Sequence, residues 1–198
     1  MKGYVPLGFL RVFGARTHLH WSALLVIGAI LAVAIRTPIL AAITILSYFG
    51  IIFLHEAGHA FVAQRLGYRP FDIYLGFLHG SCVYEAPYNS KHVAIVAWGG
   101  VVAQLVIAVP LIVLSQTTDI TAVSGFGPVV AFLGYISAGI AVINLAPSAA
   151  LDGGKAWTLI PILWAERRNR EKPKMPPKPT RRTDGSNVTK GPWGPREG

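Results

Sequence analysis

A single cysteine, Cys82, is all the thiol the chain has. That excludes an intrachain disulfide and leaves no second cysteine for a CxxC-type metal knuckle. Charge is scarce too. Asp, Glu, Lys and Arg make up 14 % of the 198 residues against 53 % apolar, with a mean hydropathy of +0.49. This is too oily for an ordinary soluble domain and points to the bilayer as partner. Acidic residues are the rarest class, 9 against 18 Lys and Arg, so the net charge is +9 and the pI near 10.0. Such a balance raises nucleic acid as a ligand, but the charges are placed wrongly for it. Most of the excess lies from Glu166 onward. The rest of the chain scatters its few charges among apolar runs and has no basic face interleaved with aromatics. No nucleic-acid partner is expected.

What the sequence has instead is long uncharged runs. WSALLVIGAILAVAI, Trp21 to Ile35, predicts a first span shorter than the roughly 20 residues a helix needs to cross hydrocarbon. Pro38 suits the first turn of a second helix, uncharged from Ile39 to Leu54 and continuing through HEAGHAFVAQR to Leu66, where Gly67 can cap it. Alternating β-branched and aromatic residues then predict a β-hairpin, Phe71 to Phe77 paired with Ser81 to Glu85. Val93 to Leu114 and Val129 to Leu145 read as third and fourth spans, and Lys155 to Trp164 as an interfacial helix. The fold class expected is an all-α membrane protein of about four transmembrane helices, with a small β-hairpin between the second and third. Its parts are a cytoplasmic segment 1–20, a membrane-embedded core 21–165 and a disordered, basic, Pro-rich tail 166–198.

Four spans put Lys2, Arg11, Arg16, Arg65, Arg69, Lys91, Lys155, Arg167 and Arg168 on one side, so both termini are expected to be cytoplasmic. This placement argues against a cleaved leader ending at Ala32-Val33-Ala34, the competing reading of the first run.

The second span ends in HEAGH, residues 55–59, which fits His-Glu-x-x-His. Residues four apart on a helix lie one turn above each other, so His55 and His59 can meet one ion while Glu56 is offset toward a water beside it. Zinc lowers the pKa of such a water to about 7, and the carboxylate can take its proton. Three ionisable groups within a span are costly unless they line a polar or metal-containing cavity. A catalytic zinc needs a third protein ligand. The candidate is Asp152 in NLAPSAALDGGK, where Pro147 interrupts the fourth helix and Gly153-Gly154 allow close backbone approach. Asp152 as a plain helix cap is the alternative. Asn144, in the same stretch, can hydrogen-bond a substrate carbonyl or oxyanion, or tie down the broken helix. His18-x-His20 and the pair His79 and Cys82 are weaker metal candidates; interfacial placement suits the first and a chance hairpin-tip histidine the second.

HEAGH in one span with Asn144-Leu145-Ala146-Pro147 and Leu151-Asp152-Gly153-Gly154 in a later one resembles the site-2 protease family of intramembrane zinc proteases, and the likeness runs from about Gly14 to Trp164. The resemblance implies His55, His59 and Asp152 as Zn2+ ligands, Glu56 as catalytic base, Asn144 as the motif asparagine, and single-span membrane proteins as substrates. It implies regulated intramembrane proteolysis in a bacterial cytoplasmic membrane. WGGVVAQ, residues 98–104, looks like a variant of the family's Gly-Pro-x-x-Asn stretch without its Pro or Asn; packing is the role expected there, with Gln104 as a substitute hydrogen bonder the alternative. No segment resembles a PDZ domain, as in a minimal core. The rival readings are a non-catalytic metal-binding membrane adaptor and an ion transporter. Natural substrate and oligomeric state have no signature in the sequence.

Overall fold

The computed structural model describes residues 3–171. Strands β1 (Tyr4–Val12) and β2 (Ala15–His20) come first, followed by helices α1 (Ala23–Val33) and α2 (Pro38–Arg65). Strands β3 (Pro70–Leu75) and β4 (Gly80–Tyr84) lead into α3 (Ser90–Thr117). A further long helix runs from Phe126 to Asn144 as α4 (Phe126–Val129), a π-helical stretch (Val130–Ile136) and α5 (Ser137–Asn144). Two shorter helices, α6 (Asp152–Ala156) and α7 (Leu159–Glu171), complete it.

Three helices are long and apolar enough to cross a membrane: α2, α3 and the composite 126–144. The apolar α1 has 11 residues, below that length. Large apolar side chains such as Leu24, Val33, Ile39, Leu46, Val106 and Val142 face outward, an arrangement that lipid rather than water satisfies.

The chain is mostly helical, as expected, with a small β-sheet larger than the single hairpin expected. The hairpin β3–β4 lies between α2 and α3, and residues 4–20, expected as a plain cytoplasmic segment, supply two more strands. The sheet order is β1-β2-β3-β4, with β2–β3 parallel and the other pairs antiparallel. The cause is local: Phe13 and Gly14, both with positive φ, make the tight two-residue turn that closes a hairpin. Along β2, Ala15 and Thr17 are buried while Arg16 is exposed, the period of a half-buried strand. Ala15, Ile73 and Leu75 pack with Ala60 of α2, so the sheet lies against the helix that carries HEAGH.

Each long helix has a recognisable beginning or end. Pro38 sits in the first turn of α2. At its other end Gly67 N–H donates to Gln64 O at 3.0 Å and Tyr68 N–H to Ala63 O at 2.9 Å, the two bonds of a Schellman cap, with Gly67 at positive φ. The Asn89 side chain caps α3 by accepting from His92 N–H. Helices α2 and α3 meet at bare backbone: a Cβ on Gly58 would lie 2.4 Å from Gly99 O, and one on Gly99 would lie 2.7 Å from Gly58 O.

The interfacial helix expected at 155–164 is two pieces, α6 and α7. The tail expected to be disordered from residue 166 is corrected at its start, because α7 continues to Glu171 and Lys91 Nζ holds Glu166 at 2.7 Å. The remainder of that tail, 172–198, lies outside the described residues.

Candidate metal centre

His55 and His59 stand one turn apart near the carboxyl-terminal end of α2. Asp152 opens α6, beyond the break that follows α5. That break is fixed by close backbone packing. A Cβ on Gly153 would lie 2.3 Å from Ala146 O, and one on Gly154 would lie 2.4 Å from Ser148 O. Two indoles tie the segment down: Trp157 Nε1 donates to Leu145 O at 2.6 Å and Trp98 Nε1 to Ala156 O at 3.0 Å.

The result is convergence of three side chains far apart in sequence. Asp152 Oδ2 lies 2.9 Å from His55 Nε2 and 3.2 Å from His59 Nε2, and the two Nε2 atoms are 3.1 Å apart. The other ring nitrogens have acceptors of their own. His59 Nδ1 is 2.8 Å from Val96 O, and His55 Nδ1 is 3.0 Å from Gln104 Oε1. With each Nδ1–H donating outward, both Nε2 atoms turn a lone pair toward a carboxylate oxygen. Three lone-pair donors this close repel one another unless a proton on one ring or a metal ion lies among them. A tetrahedral zinc with bonds of about 2.0–2.1 Å sets its ligand atoms about 3.3–3.4 Å apart, so the cluster needs only a slight opening to hold one. Asp152 is the first residue of α6, in its first turn, with Leu151 at the cap position, so it does not occupy the cap that the alternative reading gave it.

Glu56 is buried beside this cluster, with the backbone N–H of Cys82 turned to its carboxylate. Gly80 leaves room for it, since a Cβ there would fall 2.5 Å from Glu56 Cγ. A cavity of about 360 Å³ is lined by His55, His59, Asp152, Glu56, Asn144 and β4 residues including Ser81 and Tyr84. The sequence-predicted residues thus meet at one cavity.

The weaker candidates part ways. His18 Nε2 bonds Asp72 Oδ1 at 2.9 Å and His20 Nδ1 bonds Ser22 Oγ at 2.8 Å, so their rings serve the sheet. Burial pushes the Asp72 carboxyl up, but the bonds from His18 and Arg16 outweigh it and hold it below the usual range. His79 and Cys82 line the cavity, and burial, with the Glu56 charge nearby, pushes the Cys82 thiol up to about 12, while neither residue joins the His55, His59 and Asp152 group. Sequence reasoning undervalued Gln104, expected to serve packing, and gave no role to Gly100 or the Val96 carbonyl. Their four-residue spacing on α3 was the available signal.

No family model matches the chain. A solved site-2 protease from Methanocaldococcus jannaschii superposes with a TM-score of 0.62 at 21 % identity, covering 83 % of this chain and 73 % of that one. The fold is that of a site-2 protease. The sequence relatives carry the name zinc metalloprotease. A zinc metalloprotease of M. jannaschii is 26 % identical over 146 residues, 73 % of this chain. A Synechocystis protein named for the same activity is 33 % identical over 138 residues, 69 % of this chain. The matches span only 42 % and 35 % of the lengths of those two relatives.

Proposed function

We propose that the protein is an intramembrane zinc metalloendopeptidase that hydrolyses peptide bonds of single-span membrane proteins in or near the bilayer. The observation that carries this reading is the meeting of three lone-pair ligands with Glu56 at one cavity, at the end of an apolar span. The names of the sequence relatives favour zinc as the ion.

In this reading His55, His59 and Asp152 hold the zinc, which supplies a Lewis acid for the water and the scissile carbonyl. Glu56 accepts the proton of the attacking water as its oxygen bonds to the carbonyl carbon. The same carboxyl then passes that proton to the departing nitrogen as the C–N bond breaks. Asn144 donates its amide to the reacting carbonyl oxygen. A peptide bond within a helix is shielded, so the substrate has to be extended before attack. The outer strand β4 borders the cavity and offers an edge against which an extended segment can pair.

For the membrane, α1 with its flanking residues serves as a short fourth span. Both termini then face the cytoplasm of a bacterial cell, as the lysine and arginine placement favours. Impermeant thiol labelling of a cysteine introduced near Gly125 tests this: protection from external reagent in intact cells contradicts the four-span arrangement.

The activity is tested by presenting purified full chain with a panel of single-span substrates and comparing wild type with Glu56→Gln. Wild type cuts and the variant, with equal zinc content, loses at least about 10³-fold in rate. If both bind zinc and neither cuts any substrate, the protein is a metal-binding adaptor instead.

A further inference from the structure

Helix α3 faces the imidazole pair with three positions spaced by four residues, hence on one side of the helix. Val96 offers its carbonyl to His59. Gly100 leaves the space the rings occupy, for a Cβ there would lie 2.6 Å from His59 Nε2 and 2.7 Å from His55 Cε1. Gln104 offers Oε1 to His55. The Gly58–Gly99 contact brings α3 close enough for all three.

Gln104 differs from the other two in acting through a side chain. It is fully buried, and its Nε2 has no partner among the described residues. The orientation of the amide matters. With Oε1 toward the ring, His55 carries its proton on Nδ1 and turns the Nε2 lone pair to the cluster. With the amide turned over, Nε2–H would face Nδ1, the ring proton would move to its own Nε2, and His55 could not bind an ion beside Asp152. An amide held for bulk alone would not select between these arrangements.

We infer that Gln104 is a positioning residue of the metal centre, fixing the His55 tautomer and ring plane through Oε1. The inference rests on the reading of His55, His59 and Asp152 as metal ligands and adds to it a residue that acts on the ion through His55.

The test is Co2+ binding to detergent-solubilised full chain, read by competition with a chromophoric chelator and by the visible d–d bands, in wild type, Gln104→Met, Gln104→Glu and His55→Ala. Methionine keeps the length and removes the acceptor; glutamate restores an acceptor. Gln104→Met is expected to bind Co2+ about 10–100-fold more weakly with altered bands, and Gln104→Glu at least as tightly as wild type. Wild-type affinity and bands in Gln104→Met, with binding lost in His55→Ala, overturn the role of Gln104 and leave the metal centre standing. Wild-type affinity in His55→Ala as well overturns the metal centre and the inference with it. If the methionine variant does not fold, Gln104→Glu decides alone, and binding about tenfold weaker than wild type overturns the proposal.

Discussion

At the scale of single residues, what was legible and what was not divide along one line. His55, Glu56 and His59 are readable because helical spacing alone places them, and Asp152 because Pro147 and the paired glycines mark a broken helix. Gln104 was not, because its partner lies on another helix and only the Gly58–Gly99 approach brings the two together. The His-x-His motif misleads for the opposite reason. Spacing puts His18 and His20 on one face of β2, but Asp72 and Ser22 take their ring nitrogens. Asp72 supplies a pH test. Its folded carboxyl titrates below the unfolded one, so its contribution is present above the unfolded value of about 3.9 and is lost as pH falls through the lower folded value. Asp72→Asn should cost about 1 kcal/mol near neutrality, and its unfolding midpoint should approach that of wild type as pH falls below about 4. A gap that stays constant with pH would show that the pair adds nothing.

At the scale of elements, the apolar helices and the β3–β4 hairpin follow from runs and alternation, while β1 and β2 do not. Lys2, Arg11 and Arg16 made that segment read as a polar flank, although Ala15 and Thr17 alternate inward with Arg16 outward. The Phe13-Gly14 turn leaves little trace in the sequence, since a bulky residue at positive φ is rare. The strands matter for function because they back β3, and β3 holds β4 beside the cavity. If substrate pairs with β4, Cys82→Pro, which also removes the N–H that faces Glu56, should slow cleavage at least about tenfold while zinc content is unchanged. A parallel loss in Tyr84→Pro, which leaves that N–H in place, assigns the effect to the strand edge. Cys82→Ala, which alters only the side chain, should cleave at close to the wild-type rate. Equal rates for the two Cys82 variants would remove β4 from substrate binding.

At the scale of the molecule, a sheet on one side and apolar helices on the other position a polar cavity that neither part forms alone. His55 and His59 come from α2, Asp152 from a segment nearly one hundred residues later, and α3 packs against both, its Val96 carbonyl and Gln104 Oε1 facing the rings. The indoles of Trp98 and Trp157 bind the distant segment to that frame. The proposed chemistry requires an ion where His55 Nε2, His59 Nε2 and Asp152 Oδ2 converge. X-ray absorption at the zinc edge, on full chain loaded with one equivalent of zinc, addresses that directly. The expected first shell contains only nitrogen and oxygen at about 2.0–2.1 Å, with histidine outer-shell scattering that falls to about half in His59→Ala. A sulfur scatterer at about 2.3 Å, or a spectrum unchanged by His59→Ala or Asp152→Ala, would contradict the centre described.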